Sequence, residues 1–230
     1  MDVLENTSKN KAASSLTADI IFIVQLCLAL ALGSSQFIKM LNSTQGVSAS
    51  MFLFTDIFFA LLFWMAIIAQ KKIPGRMAKE TIIVYAMSVL VYSVLLVETY
   101  VKAPVFWETS DWLTTGLVGA GIAGIFLVKR VKGWDINEPY LKTLFGVAFK
   151  AIPQLLLGYK ILQVGGGGVS GLWILSFHGF TISRLVPLVL LNHASKWDRT
   201  RKSMLLSEIA NEGSWLAVTV SWLVRVGVGE

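Results

Sequence analysis

The sequence predicts an all-α transmembrane fold: seven helices in two parallel three-helix bundles joined by a linker helix, a 3+1+3 order. Three observations predict it. Of 230 residues, 55% are apolar and 15% charged, with a mean hydropathy of +0.67, whereas a soluble domain carries about a quarter of its residues as charges. The apolar residues gather into seven runs, each long enough to cross about 30 Å of hydrocarbon. The first three runs and the last three share a turn motif. This composition excludes a secreted domain, a disordered chain and an ordinary cytosolic enzyme. The one cysteine, Cys27, closes no intrachain disulfide, and no Cys/His cluster has metal-site spacing.

Residues 1–17 form a polar N-terminal tail that lacks the pattern of a signal peptide, so the first apolar run is expected to remain as a span. The first bundle (18–103) holds runs at 18–41, 47–70 and 81–102. The linker region (104–134) holds one run, 112–131, with Gly116, Ala120 and Gly124 at four-residue spacing, a face that lets helices approach closely. It reads as a structural linker or, second, as a homodimer contact. The second bundle (135–230) holds runs at 140–163, 169–192 and 204–228. Each run must be a helix, because an isolated strand in lipid would leave its backbone polar groups unpaired. Trp107, Trp112 and Trp134 sit where interfacial anchors are expected.

The basic residues give a sidedness. Lys9 and Lys11, then Lys71, Lys72, Arg76 and Lys79 fall on one side of the runs, as do Lys129, Arg130, Lys132 and Lys142, and Lys196, Arg199, Arg201 and Lys202. That side has 14; the other has 4, namely Lys39, Lys102, Lys160 and Arg225. Positive residues accumulate on the cytoplasmic side, which puts the amino terminus in the cytoplasm and the carboxyl terminus outside or in a lumen. The net charge of +6 is thus topogenic. No nucleic-acid signature accompanies it, so nucleic acid is excluded as a partner and the lipid bilayer is the expected one.

The repeat is visible at two turns. Ser34-Ser35-Gln36 ends the first run and Gln45-Gly46-Val47-Ser48 follows; Ile152-Pro153-Gln154 lies in the fifth, and Gly167-Gly168-Val169-Ser170 follows. Two three-helix units separated by a single span insert in the same orientation, which makes the repeat parallel. These residues resemble the PQ-loop repeat family, which includes the SWEET sugar transporters, the cystinosin-type amino-acid exporters and, more distantly, the KDEL receptors. The second repeat keeps Pro153-Gln154, and the first has Ser35 in place of the proline before Gln36.

Proline inside a helix removes a donor and bends it. Pro153 therefore reads as a hinge or as a static kink, and the resemblance implies the hinge. Ser35, after Gly33 and Ser34, offers a weaker break by back-bonding. From Gly-Val-Ser onward the halves run in step at an offset of 122, which sets Asp56 opposite His178, both near mid-membrane. Ionisable groups at that depth mark pathways by default. The pair is expected to line a central cavity, sharing a proton or gripping a solute; the alternative is a buried structural pair. Lys150 is expected to neutralise Asp56, to bind an anionic group, or to snorkel. Trp173, Trp215, Tyr92 and Asn211 fall on helices expected to surround the cavity, as cargo contacts or as packing. Arg184 matches Glu208 and Glu212 in depth across the last hairpin, as a clamp or a gate.

The expected function is a multi-pass transporter, a facilitator or a proton-coupled carrier. It would move a small polar solute such as a sugar by alternating access, with no cofactor and no metal. A proton-coupled amino-acid or charged-metabolite exporter is the alternative. A non-transporting KDEL-receptor-like receptor or chaperone is the rival from another class. No H-E-x-x-H or G-x-S-x-G supports an enzyme.

Overall fold

A computed structural model of the chain describes residues 2–72, 74–102, 107–135, 138–190 and 198–227. The described residues form seven helices: α1 (Asp2–Asn42), α2 (Ala49–Lys72), α3 (Arg76–Lys102) and α4 (Thr109–Lys132), then α5 (Pro139–Val164), α6 (Gly171–Leu190) and α7 (Arg199–Gly227). Among the described residues no strand occurs. Helices α1 to α5 are long and apolar enough to cross a membrane. The sixth and seventh expected spans fall on α6 and α7, with residues 191–192 and 228 outside the described residues. The polar stretch at the amino terminus is helical and continuous with α1.

The side chains are sorted as a bilayer requires. Large apolar groups point outward, with Trp64 63% and Leu175 64% exposed, while Gln36, Ser50, Asp111 and Gln154 have none of their surface exposed. Water cannot supply partners in hydrocarbon, so polar groups turn inward to one another and apolar groups face the lipid. The chain is an integral membrane protein.

Helix α3 packs between α1 and α2, and α7 packs between α5 and α6. Across the molecule α1 meets α6 and α2 meets α5, while α4 lies outside against α2 and α5. One ion pair ties the start of each unit at the end carrying the basic loops. Arg76 of α3 bonds Asp19 of α1, and Arg199 of α7 reaches Glu138, next to α5, at 3.0 Å.

The α4 stripe faces outward: a Cβ at Gly116 or Gly124 would meet no atom within 4 Å, and Ala120 is exposed. The close approach of α4 comes instead through Gly121, where a Cβ would stand 3.4 Å from the Ala148 side chain of α5.

Helix α5 is not uniform. A π turn runs over Val147–Ala151, directly before Pro153. Pro153 has no N–H to give to the carbonyl a turn earlier and its ring crowds that carbonyl. The wider π turn, in which the Ile152 N–H reaches back to the Val147 carbonyl, accommodates both effects without ending the helix. In α1, Ser35 back-bonds to the Leu32 carbonyl at 3.2 Å and the helix runs through unbroken.

Candidate functional site

A cavity lies among α1, α2, α3, α5, α6 and α7. Its wall includes Leu32 of α1, Phe59 of α2, Tyr92 of α3, Lys150 of α5, Phe177 of α6 and Asn211 of α7. Only about 20 Å³ of it is open to the centre of a water molecule, room for about one water. The wall is mostly apolar, and polar groups enter it at few points, the usual character of a small-molecule site.

An aromatic cluster closes the cavity toward the α1–α2 and α5–α6 turns. Phe52 meets Trp173 edge-on at 5.9 Å, joining α2 to α6, and Trp173 meets Trp215 at 5.1 Å. Phe177 stacks on Trp215 at 3.8 Å, and Tyr92 stacks on Phe59 at 5.6 Å. Trp173, Trp215 and Tyr92 are almost fully buried. Among the described residues the Nε1 atoms of both tryptophans and the Oη of Tyr92 have no hydrogen-bond partner.

Beyond the cluster the α1–α2 and α5–α6 turns meet backbone to backbone. The Gly168 N–H donates to the Gln45 carbonyl at 2.8 Å, and the Gln45 amide donates to the Val164 carbonyl. Glycine is required at this contact. A Cβ at Gly46, where φ is +75°, would stand 2.1 Å from the Gly165 carbonyl oxygen, and one at Gly168 would stand 2.5 Å from that of Ser43. Gln36 locks the contact. Its amide donates to the Gly168 carbonyl at 2.8 Å and accepts the Ser170 N–H at 2.9 Å.

Gln154 does not mirror Gln36. It bonds within its own half, donating to Asn211 at 3.4 Å and accepting from Ser214, and Asn211 donates onward to Thr181 at 3.0 Å. The start of α2, which a symmetric Gln154 would have held, is held by Asp111 of α4. Asp111 accepts the Ser50 N–H at 3.1 Å and hydroxyls of Ser50 and Ser48 at 2.6 and 3.0 Å. Lys160 of α5 completes this cluster, 3.6 Å from Asp111 and 2.7 Å from Glu108. Sequence reasoning passed over Asp111 and counted Lys160 only as a loop charge. The available signal was an acid in the first turn of α4 and a lone lysine near the end of α5, both on the charge-poor side.

Asp56 and His178 are not brought together. Asp56 accepts from Ser93 at 3.0 Å, and His178 contacts Glu212 at 2.5 Å through Nδ1 and Thr219 at 2.7 Å through Nε2. Neither is part of the cavity wall. The adjacent helix of each unit offers a nearer partner than the opposite unit does, so each group is satisfied locally. Lys150 makes no ion pair with Asp56; it lies under the rings of Phe58 and Phe59 at 5.7 and 5.6 Å and is 8% exposed. Arg184 pairs with Glu208 at 3.3 Å and stacks on Phe180 at 4.3 Å, while Glu212 goes to His178. Among the described residues no group of three or more His, Cys, Asp and Glu could hold a metal ion.

No family profile, curated protein or solved structure matches the chain.

Proposed function

We propose that the chain is a transporter of a small polar solute, working by alternating access between two parallel three-helix units in a 3+1+3 arrangement of seven spans. The observation that carries this reading is the central cavity, walled by one helix face from each of six helices, three in each unit, and nearly closed. A site enclosed by two similar units is what a rocking carrier requires.

The packing supports the repeat. The third helix lies between the other two in both units, the first helix of each meets the second of the other, and α4 stands apart. Glu138 follows Asp19 by 119 residues and Gln154 follows Gln36 by 118; after the longer second turn, Arg199 follows Arg76 by 123. The charge asymmetry puts the basic loops in the cytoplasm, so the joined turns face outward. The PQ-loop resemblance belongs to this reading, with the π turn before Pro153 as the flexing element of α5.

Reconstituted protein should accelerate entry of a small polar solute into proteoliposomes, with saturation. A panel of sugars, amino acids and short organic acids that produces no flux and no thermal stabilisation would reject the transporter reading. Stabilisation by short peptides alone would favour the receptor.

A further inference from the structure

Lys150 is the charged residue of the cavity wall, and its ammonium has no direct counter-ion among the described residues. It makes no hydrogen bond and no ion pair among the described residues; its contacts are the faces of Phe58 and Phe59. The charged groups that act on it are Glu208 and Arg184, and these two already pair with each other. Glu212 and His178 form a second closed unit. Each is the other's partner, and Thr219 holds His178 from the far side of the ring. Asp56 bonds Ser93, a neutral group, and lies outside the wall. Among the residues of the wall Lys150 is the charged one.

The other unmatched polar group of the wall has the same sense. Tyr92 is 2% exposed and its hydroxyl, which has a proton to give, finds no partner. Asn211 has its amide committed to Gln154 and Thr181, and the Ser88 hydroxyl is committed to the Val84 carbonyl. The cavity thus offers donors without acceptors, set among aromatic rings. A buried cation without a counter-ion is costly, and rings alone repay little of that cost. A ligand with two acceptor oxygens, one negative charge and a short carbon body would satisfy the ammonium and the hydroxyl together.

We infer that this cavity, which has room for about one water here and must widen to admit a solute, binds a small monocarboxylate, with Lys150 and Tyr92 as its anchoring groups. The inference rests on the transporter reading and specifies its cargo. Lys150 lies inside the π turn that precedes Pro153, so an anion held there acts directly on the flexing segment of α5.

The test is uptake of radiolabelled L-lactate by the full-length protein in proteoliposomes, with uncharged lactamide as competitor and glucose as a separate substrate. Saturable lactate uptake is expected, with no competition from lactamide. Lys150→Met should lower it by about tenfold or more, the scale of losing a charge-assisted hydrogen bond, while Lys150→Arg retains most of it. Wild-type lactate uptake in Lys150→Met would overturn the inference. Glucose uptake without lactate uptake would overturn it and leave the carrier reading standing. No flux of any solute, and no rise in melting temperature with any, would remove both. Should Lys150→Met fail to fold, Tyr92→Phe decides: it keeps the ring and drops the donor, and unchanged lactate uptake would count against the site.

Discussion

Gln36 bonds two main-chain groups of the opposite unit with one side chain while fully buried. Gln36→Leu leaves the Gly168 carbonyl and the Ser170 N–H without partners, each a cost of about 1–3 kcal/mol. A loss of about 2–4 kcal/mol is expected, read as a lowered denaturation midpoint in detergent. Asp111 makes a different kind of contact, since its charge is opposed by Lys160 and solvated by two hydroxyls and an N–H. Asp111→Leu leaves the Ser50 N–H without its acceptor and Lys160 with Glu108 alone opposite it, and should cost about 1–3 kcal/mol. Adding Lys160→Met to Asp111→Leu should recover part of it, and a double-mutant cycle measures the coupling. The two glutamines show where sequence reading succeeds and stops. Both were identified as special from a short motif, but the partner of Gln36 lies more than 130 residues away, and no local pattern could say that Gln154 would turn to α7 instead.

At the scale of the helix, α5 departs most from regularity. Proline in a run of apolar residues announces an irregular helix, and a π turn is present before it. Its form, a π turn that buries Lys150, depended on what α2, α4 and α7 leave free around it. Pro153→Ala restores an N–H and removes the ring clash, so an ordinary α-helix becomes available to 147–153. The variant is expected to be at least as stable as the parent and to transport several-fold more slowly, which a thermal melt and an uptake assay separate. Helix α4 was legible as an element from its length and apolar content. Its small-residue stripe faces outward; four-residue spacing of glycines states only that a close approach is possible and not to what. Gly121, one residue beyond Ala120, makes the approach to α5.

For the molecule as a whole, the membrane class and the helix order were readable because hydrocarbon leaves the backbone so few options. The site was read less well. Asp56 and His178 were paired by symmetry, but a buried charge takes the nearest partner, and Ser93 and Glu212 are nearer. Lys150, Tyr92 and Asn211 do reach the cavity wall. If the two units rock, the joined turns must separate. The Ser43 hydroxyl lies 3.5 Å from where a Cβ on Gly167 would stand, within reach of a disulfide after Ser43→Cys and Gly167→Cys. Oxidation of that pair is expected to abolish uptake and reduction to restore it, with Ser43→Cys alone unaffected. A carrier that keeps working when cross-linked would show that the turns do not move.

The clamp by Gln36 also sets an order of events during synthesis. Its two partners are 132 and 134 residues further along the chain. At about 5–20 residues per second, Gln36 is made roughly 7–27 s before those partners exist. Through that interval the α1–α2 turn is half of an unfinished joint, and Gln36 must be kept wet or lent a partner by the insertion machinery. A chain truncated after α3 should therefore be held by that machinery or degraded, whereas supplying residues 103–227 as a separate polypeptide should rescue it.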